Sequence, residues 1–258
     1  MKKYYINLIL AGLPVLLFLC AACGGKKLTN AAPEPAPVPL MMVDTTETGL
    51  VLYFPPTDSL DLRCFDRPDP ELDNSIVFCC AAAFTADFAT VPDHNRICGD
   101  HVSGGRYYPR PMLKRNTGAF VVKDSSWVFL YTPQPKQNSF RSDFLKAKAG
   151  FTQEMMIHQG KKVKTTRPEK NVNQFRALCQ IGQKLCIADA AEPMPFGSFI
   201  QALLDAGAGE AIYMDMGPGW NYSWYREYAD SAATFIHSWP IESATNWLVF
   251  HTAIFKKN

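Results

Sequence analysis

A chain of 258 residues that is 47% hydrophobic and 19% charged carries enough apolar side chain to bury a large core, which excludes wholesale disorder. The formal net charge of +2 comes from Lys2 and Lys3, because the other basic residues equal the 24 acidic ones in number. Beyond the first residues there is no net charge to draw the chain to a polyanion, so nucleic acid is excluded as a partner.

Residues 1–22 read as a bacterial signal peptide. Lys2-Lys3 form the positive n-region, and Ile6 to Leu19 an apolar stretch shorter than a membrane span. Cys20-Ala21-Ala22-Cys23 resembles the lipobox of bacterial lipoproteins, which makes Cys23 the predicted lipidation site. Two or three acyl chains there exceed the single chain that binds a bilayer only marginally. No acidic run follows Cys23, so the expected location is the bacterial cell envelope, lipid-anchored and facing the periplasm from the outer membrane. Ala31 to Pro39 is proline-rich and predicts an extended spacer. Residues 23–45 are therefore assigned to the lipidated cysteine and tether, and residues 46–258 to the folded domain.

Within the domain, Gly49 to Phe54 predicts a first strand, stopped by Pro55-Pro56, and Thr57 to Asp73 an acidic loop. Asn74 to Ala83 predicts a buried strand, and Ala119 to Tyr131 a hairpin turning at Lys123-Asp124-Ser125. Residues 147–160 fit helix or strand, with a strand and turn at Met155 to Lys161. The basic run Lys161, Lys162, Lys164, Arg167 and Lys170 reads as a solvated hairpin or loop. Phe175 to Gly182 and Lys184 to Ala190 flank a turn and predict a second hairpin. Phe199, Ile200, Leu203 and Leu204 have helical spacing, and Gly207 ends that helix. Ala211 to Met214 and Asn246 to Phe255 predict the last strands. Strands dominate without βα alternation, so the fold class is α+β, with a mixed, mostly antiparallel sheet and few flanking helices.

With Cys20 and Cys23 set aside, Cys64, Cys79, Cys80, Cys98, Cys179 and Cys186 remain. An oxidising compartment permits disulfides among them, and the sequence does not choose a pairing. No metal-ligand motif is visible, and no cofactor is expected.

Three segments carry chemistry. Gly99-Asp100-His101-Val102-Ser103-Gly104-Gly105-Arg106 gathers a carboxylate, an imidazole, a hydroxyl, glycine N–H groups and a guanidinium, a set suited to holding an anion, although a plain turn fits it too. Arg176 starts a strand, as an anion clamp or half of a cross-strand ion pair. Asp215 ends a buried strand before a Gly/Pro loop bearing Trp220, Asn221, Tyr222 and Trp224, where rings stack on a sugar or cap the sheet.

The order of these segments resembles the phosphodiester glycosidase family: the small apolar run Cys80 to Phe84, the glycine-rich loop, Gln153 to Gly160, Arg176-Ala177, then helix, turn, strand and Asp215. The likeness spans Val77 to Arg226. It departs at Ala81-Ala82-Ala83-Phe84, where the family has an Asn-Gly-Gly-Phe-like stretch, and at Asp215-Met216-Gly217, where it has Asp-Gly-Gly. The resemblance implies a lipid-anchored envelope glycosidase that cleaves a sugar phosphodiester. Its partners are then a carbohydrate or glycosyl-phosphate substrate and, through the lipid, the membrane. Asp215 is the expected nucleophile or base, Asp100 the second carboxylate and His101 the proton shuttle. Arg176 is the expected phosphate clamp. Ser103, Gly104, Gly105, Arg106, Gly217, Trp220 and Asn221 are the expected substrate contacts. The alternative is a glycan-binding envelope lipoprotein without catalysis.

Overall fold

The computed structural model describes residues 38–57, 59–64, 67–84, 97–124, 126–216, 222–238 and 246–252. The predicted signal peptide, Cys23, Gly217, Trp220 and Asn221 lie outside the described residues. Everything described belongs to one compact unit, Pro37–Asn258.

The fold is α+β, built from antiparallel sheets with little helix. A seven-stranded sheet runs in the order Met42–Thr45, Leu50–Phe54, Lys184–Ala190, Arg176–Ile181, Ala208–Met214, Met155–His158 and Lys161–Lys162. The helix Phe196–Asp205 lies on one face of it. Phe196, Phe199, Ile200 and Leu203 of the helix pack with Ala177, Cys179, Cys186, Ala188, Ala211 and Tyr213 of the strands. Strand side chains alternate between faces, so Leu178, Ile187, Ile212 and Met214 point the other way. There they share a core with Phe78, Cys80, Leu248 and Phe250 of a second sheet and with Phe120 and Phe151 of a third.

The second sheet has the order Thr234–Ser238, Tyr222–Tyr225, Ile76–Ala81, Asn246–His251 and Ser59–Cys64. Its central strand Ile76–Ala81 is buried at every residue, which is why its sequence is continuously apolar rather than alternating. The third has the order Arg106–Tyr108, His101–Ser103, Ala149–Gln153, Gly118–Val122 and Trp127–Tyr131. Gly150 makes this sheet possible: a Cβ there would stand 2.6 Å from the Phe120 carbonyl oxygen.

One stretch of chain joins two sheets. Ala149–Gln153 pairs in the third sheet, Glu154 turns the corner, and Met155–His158 pairs in the first. This resolves the helix-or-strand ambiguity of residues 147–160 as strand.

One expectation is corrected, and two further elements join the domain. The predicted acidic loop contains the strand Ser59–Cys64, paired with Asn246–His251. Its inward Leu62 is fully buried, and a neighbouring strand supplies the apolar surface that the local sequence lacks. Met42–Thr45, within the residues assigned to the tether, pairs with Leu50–Phe54. A one-turn helix, Arg141–Phe144, also forms under the third sheet, burying Phe144.

Candidate functional site

Of the four predicted catalytic residues, Arg176, Asp100 and His101 are fully buried, and Asp215, 6% exposed, lies just past a strand end.

Arg176 is a correction. Its Cα neighbours in the sheet are Asp189 and Met214, so its side chain points into the core between the first and second sheets. It is 0% exposed. Nε and Nη2 donate to the two carboxylate oxygens of Asp189 at 2.6 and 2.5 Å, and Nη2 also donates to Ser223 Oγ at 3.0 Å. Burial alone would push the guanidinium pKa down; the Asp189 carboxylate overrides it, and the net shift is upward. This is a buried bidentate pair, and its guanidinium has no face turned to solvent for a phosphate.

The Gly99 to Arg106 segment is a hairpin, not an anion cradle. Gly104 and Gly105 form its two-residue turn, with φ of 55° and 73°, the left-handed pair that such turns require. Gly105 N–H donates to the Lys148 carbonyl at 2.9 Å, so that donor is engaged within the fold. Ser103 Oγ donates to the Leu62 carbonyl at 2.5 Å, and Arg106 lies over the Tyr108 ring. Asp100 is fully buried and accepts from Tyr107 Oη, Arg110 N–H and Gln137 Nε2. It ties loops together rather than facing a substrate.

His101 is corrected too. It is fully buried, its Nδ1 sits 3.2 Å from the Gly99 carbonyl, and its ring stacks on Tyr108. Burial, with Arg110 adding to it, lowers its pKa to about 4. At neutral pH it is a fixed neutral ring, unsuited to shuttling protons.

Asp215 follows the strand Ala208–Met214. Because Met214 shares a face with Arg176, the next residue belongs to the opposite side, and Asp215 lies close enough to Tyr213 to influence its hydroxyl. Its N–H donates to the Ala82 carbonyl at 2.8 Å. Ala82–Phe84 is itself pinned by Asn246, whose side chain accepts from Ala83 N–H at 2.7 Å and donates to Ala83 O at 3.0 Å. The small residues Ala81 to Ala83 are all fully buried, and this lets the two segments lie so close.

Around Asp215 the fold gathers residues from distant parts of the chain. The rings of Phe84 and Tyr213 pack at a tilt of 35° with their centroids 5.3 Å apart. Arg115 lies 4.6 Å over the Phe84 ring, and Arg167 lies 4.6 Å over the Tyr213 ring. Burial pushes the Tyr213 hydroxyl up to about 12, with Arg167 and Arg115 opposing and Asp215 and Glu154 reinforcing. Half-buried Cys98 senses the same charges: burial and Asp215 push its thiol up while Arg115 pulls it down. Two guanidinium groups, two carboxylates and a thiol thus gather around one aromatic pair, whose Tyr213 adds a phenol, near the ends of strands. Among the described residues, no group of side chains is arranged to hold a metal ion.

Arg115, Glu154 and Arg167 were not legible as site residues. Arg115 sits in an ordinary polar turn, and Arg167 in a basic run read as solvated. Only contact with Phe84 and Tyr213, remote in sequence, sets them apart.

No family model matches the sequence, and no curated protein matches it. Solved structures do. The catalytic domain of zebrafish N-acetylglucosamine-1-phosphodiester alpha-N-acetylglucosaminidase, auto-inhibited by its pro-peptide, aligns over 86% of this chain and 85% of its own, at 12% identity and TM-score 0.56. The fold is shared with a sugar-phosphodiester glycosidase. A hypothetical protein from Synechocystis aligns over 81% of this chain at 12% identity and TM-score 0.50, and this chain spans 61% of that protein. At these identities the likeness is one of fold.

Proposed function

We propose that this chain is a hydrolase of glycosyl phosphodiesters, anchored to the bacterial envelope, in the periplasm, through a lipid on Cys23. The anchor rests on the sequence of residues 1–23 alone. The observation that carries the hydrolase reading is Asp215, next to a strand end and near an aromatic pair overlain by two guanidinium groups, in a fold shared with a sugar-phosphodiester glycosidase.

The chemistry suits that site. The scissile bond joins an anomeric carbon to a phosphodiester oxygen, and the leaving phosphate monoester is a weak base with a second pKa of about 6. Departure needs little general-acid help. The demands are a carboxylate at the anomeric centre, as nucleophile or base, and positive charge for the phosphate. Asp215 is assigned the first role. Neither Asp100 nor His101 is needed in the mechanism.

The test is release of free sugar from a synthetic α-N-acetylglucosaminyl phosphodiester. Asp215→Asn should lower turnover by about 10³-fold or more with an unchanged circular dichroism spectrum. Full activity in that variant removes the assignment. The second reading, a glycan-binding lipoprotein, draws on the half-buried Phe84 ring and on the burial of Arg176 and Asp100; binding without sugar release from the wild-type chain decides for it.

A further inference from the structure

With Arg176 buried against Asp189, a phosphodiester needs another cation. We propose that Arg167 and Arg115 form the phosphate-recognition element of this site, and that Glu154, acting through Thr166, is the positioning residue that holds Arg167 there. The choice of a phosphate ester as ligand rests on the hydrolase reading; the cation pair rests on geometry alone.

Arg167 lies over three rings at once, 4.6 Å from Tyr213, 5.4 Å from Phe196 and 5.6 Å from Phe175. Rings of the helix-backed core, Tyr213 standing edge-on to the two phenylalanines, thus crowd the guanidinium. Among the described residues neither Arg167 nor Arg115 has a carboxylate within salt-bridge distance, unlike Arg63 and Arg176. Arg167 is half-buried, with Nε enclosed and without a hydrogen-bond partner. A planar guanidinium stacked on a ring keeps its edge donors free for phosphate oxygens.

The segment that carries it is latched from beneath. Glu154 is 1% exposed at the corner between two sheets. Its Oε1 accepts from both the N–H and the hydroxyl of Thr166, at 2.5 and 2.8 Å. Its carbonyl accepts from Tyr213 N–H at 2.9 Å. One residue therefore fixes both the ring and the neighbour of the cation that covers it. Its Oε2 is buried without a partner, a cost a protein tolerates where a carboxylate does positional work. Asp215 is the carboxylate that opposes an incoming anion at this rim.

The experiment is titration of the full-length chain with glucose 1-phosphate and, separately, with inorganic phosphate, followed by ³¹P NMR at low ionic strength. Expected are saturable binding of the sugar ester, a loss of at least tenfold in Arg167→Ala, a partial recovery in Arg167→Lys, and tighter binding in Asp215→Asn. Thr166→Ala should weaken binding several-fold and raise amide exchange across residues 163–170, a change that a purely structural threonine elsewhere would not localise there. Equal affinity for inorganic phosphate would assign the site to the phosphate group itself, and tighter sugar-ester binding would add a sugar contact; both support the cation pair. Unchanged affinity in folded Arg167→Ala and Arg167→Gln overturns it. Sugar release that survives those variants overturns the cation pair and leaves the hydrolase reading intact. Arginine-dependent binding with no sugar release does the reverse.

Discussion

Breaking the Arg176–Asp189 pair is the sharpest test of how this fold is held. Asp189→Ala leaves a guanidinium that is 0% exposed with Ser223 Oγ as its remaining hydrogen-bond acceptor. Removing one partner of a buried ion pair costs about 3–5 kcal/mol, because the other charge stays desolvated and uncompensated. With an m-value of roughly 3 kcal/mol/M, the urea midpoint falls by about 1–2 M without a change in slope. Ser223→Ala, which removes one hydrogen bond to the same guanidinium, should cost only about 1–3 kcal/mol. Arg176→Met combined with Asp189→Leu should return to within about 2 kcal/mol of wild type, since an apolar pair of similar volume avoids the desolvation. The assay is urea unfolding followed by tryptophan fluorescence and circular dichroism together. A loss under about 1 kcal/mol in Asp189→Ala refutes the burial argument. A stable Arg176→Met/Asp189→Leu protein that no longer releases sugar would restore Arg176 to the site.

His101, held neutral by burial with a pKa of about 4 against an ordinary 6.5, binds its proton more readily when unfolded. Its contribution is fully present above about pH 6.5 and is lost as pH falls towards 4, about 3 kcal/mol in all; His101→Gln should flatten that part of a stability–pH profile measured by urea unfolding. Gly99→Ala places a Cβ 2.0 Å from Thr152 Oγ1 at a φ of +90°, and a loss of about 2–5 kcal/mol is expected in thermal unfolding. Among the thiols described, Cys79, Cys80, Cys179 and Cys186 are buried and Cys98 is partly open, so peptide-level mass spectrometry after brief iodoacetamide treatment should find label at Cys98 and not at those four. Because the Asp215 carboxylate raises the Cys98 thiol, Asp215→Asn should speed that labelling by increasing the thiolate fraction.

How much of this was written in the sequence depends on whether a feature is local. The hairpin at Gly182-Gln183, the helix opening at Phe196 and the buried run Ile76–Ala81 all follow from short-range pattern: a turn dipeptide, a 3.6-residue period, a continuous apolar stretch. Asp215 was legible for the same reason, as a carboxylate ending an apolar strand. The strand Ser59–Cys64 was hidden because its apolar partner surface belongs to Asn246–His251, nearly the whole domain away.

The roles of charged residues were decided by tertiary structure. Arg176 opens an apolar strand and Arg167 sits in a basic, polar run, and the local sequence alone would send the first towards a site and the second to solvent. The first faces Asp189 across a hairpin and is neutralised in the core; the second lies among rings from three separate elements and keeps its charge at the surface. A charge acts through what lies within a few ångströms of it. The sequence by itself therefore determined the α+β class, the strand-end carboxylate and the order of segments. Only the folded chain, by bringing Ala82, Phe84, Arg115, Glu154 and Arg167 to the neighbourhood of Tyr213 and Asp215, decided which charged groups lie together there.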